Sequence, residues 1–110
     1  MTQATMITPL SEPISDLTQA KLRGLVRRSI ARGQVHHIMD LRDLTGLDTR
    51  TLSEIIRLRR WLREVGGSLD LITSDPDVLK ILTISGLDRL FAVYPNEEQA
   101  VQAVEAAVAS

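Results

Sequence analysis

The chain of 110 residues contains no cysteine. That excludes a disulfide framework, a thiol nucleophile and any cysteine-ligated metal site, and it suits a reducing compartment. Aromatic residues are scarce, with one Trp, one Tyr and one Phe, which leaves little for the stacking by which single-stranded nucleic acids are held. No apolar run approaches the roughly 18 residues that a membrane helix needs. The opening stretch, MTQATMITPL, has neither the basic start nor the long apolar segment of a secretory signal. The expectation is a soluble, cytoplasmic protein. No glycine-rich phosphate loop is present either: Gly66-Gly67 follows a helical pattern instead of opening one, and the glycine of ISGLDRL stands alone at a helix end. A nucleophile elbow of the G-x-S-x-G type is also missing.

What is present fits one globular domain spanning 1–110, with residues 1–4 expected to be flexible. The hydrophobic fraction of 44% and charged fraction of 25% are those of a folded chain. A net charge of −1 conceals an asymmetry. Between Lys21 and Arg63 there are eleven Lys/Arg against four acids (Asp40, Asp43, Asp48 and Glu54), leaving two basic and ten acidic residues for the remainder. Such a block either solvates helix faces or meets an anionic partner.

Strand-like and helix-like stretches alternate along the chain. TMITPLS (5–11) reads as a short strand interrupted at Pro9, and therefore as an edge strand. Next comes a helix capped by Ser15 or Asp16, with Leu17, Leu22, Leu25, Val26 and Ile30 at helical spacing and Gly33 as its stop. VHHIMDL (35–41) has the apolar density of a strand buried on both faces. After the turn RDLTGLD, a second helix runs from about Thr49 to Val65. SLDLITS (68–74) is the next strand, followed by a helix with Ser74 or Asp75 as cap and Pro76 near its first position. LFAVY (90–94) reads as a last strand, and Asn96 with Gln99 resembles a capping box opening a final helix. Short connections between alternating strands and helices predict βαβ units: a small α/β domain with a mostly parallel sheet of about four strands and four helices.

Three groups of residues invite a chemical reading. Adjacent His36 and His37 would point to opposite faces of a strand, without a third ligand at metal spacing, and read as structural. Asp40, Asp43 and Asp48 follow a strand end, where ligands bind in open α/β sheets and where Mg²⁺ is conceivable, but turn and cap roles account for two of them. On the second helix, Leu52, Ile55, Leu58, Leu62 and Val65 fall on one arc. Arg50, Ser53, Glu54, Arg57, Arg60 and Glu64 fall on the opposite one, with Trp61 at its rim. A tryptophan beside arginines suits an interface anchor as well as a cover for the core edge.

The order of these pieces resembles the STAS domain, the fold of bacterial anti-sigma factor antagonists. IMDL, LDTRTL, REVGGSLDLI and LTISGLDRLF stand where that family has an apolar strand ending in Asp, an Asp-Ser-Ser-Gly-Leu helix start, a glycine-ended helix with its strand, and a Leu-Thr-Gly-Leu-Asp-Arg-Leu-Phe phrase. The resemblance covers about residues 35–108 and, more loosely, 5–34. It implies a non-enzymatic regulatory module without a cofactor, acting in signal transduction and transcription regulation. Its partner would be an anti-sigma factor that is also a serine kinase, or another ATPase-type protein. It further implies that a hydroxyl at the start of the second helix is phosphorylated; the family's first serine falls on Thr49, its second on Arg50 and its glycine on Thr51. About fourteen residues precede the first helix, so one of the family's two N-terminal strands is expected to be missing or very short.

On this reading Thr49 is the phosphoacceptor. The docking face comprises Asp48, Thr49, Arg50, Thr51, Ser53, Glu54, Arg57 and Trp61, with Ser74 and Asp75 on a neighbouring loop. LDTRTL is then a plain cap, a phosphoswitch on Thr49, or a constitutive docking site in which Arg50 replaces a regulated hydroxyl. Alternatives are an accessory subunit of a membrane lipid-transport ATPase, a nucleic-acid binder using the basic block 21–63, and a small phosphate- or nucleotide-binding enzyme using the acids at the strand ends. Self-association as a homodimer stays open at this point.

Overall fold

The structure is a computed structural model and describes residues 5–109. In chain order the elements are β1 (Met6–Pro9), α1 (Asp16–Ala31), β2 (His36–Asp40), α2 (Thr49–Glu64), β3 (Ser68–Ile72), α3 (Pro76–Ile84), a 3-10 turn (Leu87–Arg89), β4 (Val93–Tyr94) and α4 (Glu97–Ala109). The strands form one parallel sheet in the order β1-β2-β3-β4, with Met6 opposite His37, His36 opposite Ser68 and Leu71 opposite Val93. Parallel neighbours need crossover connections, and the helices supply them. No helix among the described residues is long and apolar enough to cross a membrane.

Strand alternation divides the interior in two. His37 and Met39 of β2 and Leu69 and Leu71 of β3 face the larger core, where Leu22 and Val26 of α1, Ile55, Leu58 and Leu62 of α2, and Val78 and Leu82 of α3 pack. On the other face Ile38 and Ile72 meet Ala100 and Val104 of α4. The pattern HHIMD is therefore apolar on both faces because both faces are covered.

Most helix boundaries lie where the capping residues put them. Ser15 caps α1 through Thr18 N–H, Asp75 caps α3 through the N–H groups of Asp77 and Val78, and Asn96 accepts from Gln99 N–H at 2.8 Å. Pro9 sits at the end of the edge strand β1, where a missing donor is tolerated. Between α2 and β3 the chain turns on Gly66 (φ 79°), and Gly67 then passes so close to β2 that a Cβ on it would stand 2.0 Å from the Val35 carbonyl oxygen.

Three local expectations are corrected. Leu17 is 66% exposed: five residues before Leu22, it lies about 140° around the helix from the buried stripe, and Ser29 occupies that stripe instead. Val65 is 47% exposed because the helix ends at Glu64 and Val65 is its C-cap. The last strand is only Val93–Tyr94, since Leu90 and Phe91 turn their N–H groups to the Leu87 carbonyl and close the 3-10 turn. One strand precedes α1 among the described residues, and the expectation of flexibility at 1–4 lies outside them.

Candidate functional site

The turn from β2 into α2 is held from below and from the side. Leu41 and Leu44 are buried beneath it, with Leu41 N–H donating to Ile72 O. Asp40 accepts from the backbone N–H and the guanidinium of Arg42, and this neighbour keeps its carboxyl below the usual range. The chain then arrives at Asp48 in an extended conformation and becomes helical at Thr49.

Asp48 is the cap: its Oδ1 accepts from Thr51 N–H at 2.7 Å. Hydrogen bonding from Thr51, through its hydroxyl first and then its backbone N–H, holds the Asp48 carboxyl below the ordinary aspartate value. Thr51 itself is fully buried, and its Oγ1 accepts from Ile14 N–H at 3.1 Å. One hydroxyl thus joins the segment before α1 to the cap of α2. Thr51→Val keeps the shape and removes the hydroxyl, stranding a buried N–H; the expected loss is about 2 kcal/mol, to be read from urea denaturation.

With Asp48 as the cap, Thr49 occupies the first helical position, exposed. Arg50 is exposed, as expected, and leans across the surface onto α1. Its Nη2 reaches Asp16 and, at 2.8 Å, Gln19 Oε1, both on α1. Ser53 and Arg57 are exposed, whereas Glu54 is 2% exposed and belongs to the interior. Its carboxylate accepts from Arg23 Nε and Nη2, both at 2.8 Å, and from Gln19 Nε2 at 2.9 Å, with Arg57 Nε 3.8 Å away. The bonds from Arg23 depress its pKa against the opposing effect of burial. Placing Glu54 on the solvent arc is therefore corrected: it lies only about 40° around the helix from Leu58, on the flank that α1 covers. Trp61, on the same flank, is half-buried against the core, and the Arg27 guanidinium stands 4.9 Å from its ring centroid.

The docking residues expected from sequence thus separate into two sets. Asp48, Thr49, Ser53 and Arg57 share the exposed start of α2, and the exposed Ser74 with Asp75, the cap of α3, follows the neighbouring strand at the same end of the sheet. Thr51 and Glu54 are inside, while Arg50 and Trp61 engage α1. Sequence reading missed Asp16, Gln19, Arg23 and Arg27 on that helix; their only signal was position, on the α1 face that a parallel βαβ unit lays beside α2.

The other chemical candidates have structural roles. The His37 Nε2–H faces Gln34 O at 3.2 Å with Ser29 Oγ 2.8 Å away, and burial lowers its pKa. His36 Nδ1 pairs with Ser68 Oγ at 2.9 Å on the opposite face of the sheet. Asp40 is engaged by Arg42 and Asp48 by the cap, and no group of three His, Asp or Glu suited to a metal ion occurs among the described residues.

Comparison with known proteins adds what geometry alone does not supply. Residues 2–100 match the family model for the STAS domain. The anti-sigma F factor antagonist of Paenibacillus polymyxa is 28% identical over 101 residues, covering 91% of this chain and 86% of that one. Among solved structures, an anti-sigma factor antagonist from Mycobacterium paratuberculosis superposes with a TM-score of 0.74 at 21% identity, over 91% of this chain and 85% of that one. The phosphorylated form of the Bacillus cell fate determinant SpoIIAA superposes with a TM-score of 0.72 at 22% identity, over 94% and 93%.

Proposed function

The chain belongs to the STAS domain family, and on that premise we propose that it is a non-enzymatic antagonist that docks an anti-sigma factor with serine-kinase activity through the start of α2, and that phosphorylation of Thr49 switches the complex. The observation that carries this reading is the division of labour at LDTRTL. Asp48 caps the helix, so the Thr49 hydroxyl is exposed and has no capping duty. A phosphate there would lie at the positive end of the helix dipole, among backbone N–H groups without intrahelical partners. It would add nearly two negative charges to the docking face. Arg50 is exposed and shared by Asp16 and Gln19 at the surface, so the alternative in which it is a constitutive contact requires it to exchange those partners for one on the docked protein. Thr51 faces inward, away from the exposed Thr49.

Wild type, Thr49→Glu and Thr49→Val, each used as bait in the native host, test the proposal together with phosphate mapping of the recovered wild type. The expected result is phosphate on Thr49, a kinase-type partner held by wild type and by Thr49→Val, and loss of that partner from Thr49→Glu. An unmodified Thr49 with the same partner on all three baits would overturn it.

A further inference from the structure

The outward stripe of α2 continues past the proposed phosphosite. Thr49, Ser53, Ile56, Arg60 and Arg63 recur at spacings of four and three, so they line one side of the helix. In its second half, Ile56, Arg59, Arg60, Arg63, Glu64 and Leu90 enclose a shallow groove of about 470 Å³. Leu90 is 45% exposed there, and Ile56 is half-buried. The Arg59 guanidinium lies 5.7 Å from the centroid of Phe91, which steadies it at the groove wall.

These arginines differ from those of the basic block that carry an ion pair. Arg23, Arg42, Arg50 and Arg57 each have a carboxylate within ion-pair distance. Arg59, Arg60 and Arg63 have none among the described residues; Glu64 lines the groove with them, and Asp70 lies near Arg59 and Arg63 without pairing. A helix C-terminus favours cations, but that preference accounts neither for an exposed leucine between them nor for the use of arginine at all three positions. Arginine around an apolar floor is the composition of a protein interface, and its planar fork suits carboxylates.

We propose that this groove docks an acidic segment of a protein partner, with an apolar side chain of that segment on Leu90 and Ile56 and its carboxylates at Arg59, Arg60 and Arg63. The proposal rests on α2 being the docking helix and names the chemistry of what it docks. Arg60 is eleven residues beyond Thr49, about 16 Å along the axis, so one acidic surface spans both. A phosphate on Thr49 then opposes the same carboxylates that the arginines attract, which gives the switch its sign. Nucleic acid fits the groove poorly, since Trp61 lies on the other flank beneath Arg27.

The test uses the full chain and a short fluorescein-labelled peptide carrying glutamates and two leucines on one helical face. Binding by fluorescence anisotropy is expected to weaken with salt. It should fall about tenfold or more with the Leu→Ala peptide, with the Glu→Gln peptide, and with the Arg60→Glu/Arg63→Glu variant, whose exposed substitutions leave the thermal midpoint near that of wild type. Equal binding by the variant, indifference to the leucines, or tighter binding of single-stranded DNA or anionic phosphatidylglycerol vesicles overturns the proposal. If the peptide ignores the arginines while Thr49→Glu still releases a partner in the host, the groove assignment fails and the docking reading stands. If the peptide binds as expected and Thr49 is never modified, the groove assignment stands and the phosphoswitch fails.

Discussion

Gly67→Ala is expected to lower the stability of the domain by at least about 3 kcal/mol and its thermal midpoint by about 12 °C or more. The obstacle is backbone, not a side chain that can turn away. A Cβ at this position would stand 2.0 Å from the Val35 carbonyl oxygen, 2.8 Å from Val35 Cβ and 2.9 Å from its carbonyl carbon. That same oxygen accepts from Ser68 N–H at 3.0 Å, and Gly67 N–H donates to Leu62 O at 2.7 Å. Relief therefore requires β2 and β3 to separate at their shared start, or the end of α2 to unwind. Gly46→Ala supplies the control, since an added Cβ there meets nothing within 4 Å and φ is not positive; it should be neutral or slightly stabilising. Thermal melts of both variants check this, and a Gly67→Ala midpoint within about 2 °C of wild type would mean that the two strands are not pressed together as described.

The contrast between these two glycines shows what a sequence makes legible. That Gly66-Gly67 ends a helix follows from local chemistry, because a left-handed residue after the last turn is almost always glycine. That Gly67 must also clear Val35 depends on a strand thirty-two residues earlier in the chain, and no local pattern carries it. The same division holds elsewhere. Ser15, Asp75 and Asn96 announce their helices because a cap acts within three residues, and β2 and β3 announce themselves by burial on both faces. Leu17 misled because a leucine near a stripe is not on it. Leu90 and Phe91 carry strand-forming side chains, but their N–H groups are spent in a turn that Gly86 opens. At the candidate site, Asp48 and Thr49 were readable as the start of a helix, and the resemblance pointed to Thr49. The engagement of Arg50, Glu54 and Trp61 by α1 was not readable, since it depends on which flank of α2 the first helix covers.

Glu54→Ala is expected to cost about 2–3 kcal/mol, below the 3–5 kcal/mol typical when one partner of a fully buried ion pair is removed. Arg23, with a side chain 30% exposed, can turn to water once its partner is gone, whereas Glu54, at 3%, could not if Arg23 were removed. Glu54→Gln retains one acceptor for Arg23 and loses the charge, so it should cost about half as much at neutral pH. Its pH dependence identifies the cause. Hydrogen bonds from Arg23, then from Gln19, keep the Glu54 pKa below its ordinary value despite burial. A depressed carboxylate stabilises the fold fully above its unfolded value of about 4.3 and progressively less as pH falls through the lower folded one. The difference in stability between wild type and Glu54→Gln should therefore be constant from neutral pH to about pH 5 and shrink below about pH 4. Asp40 and Asp48, also depressed, and His37, whose neutral form is favoured by burial, titrate alike in both proteins and drop out of the difference. Paired urea titrations at neutral and acid pH measure it. A difference that is absent at pH 7, or that persists unchanged at pH 3, would show that the α1–α2 clamp does not depend on an ionised Glu54. If the clamp does depend on it, the geometry at Thr49 is maintained by a charge five residues away, and the partner binding proposed above should weaken in Glu54→Gln even though Glu54 is buried.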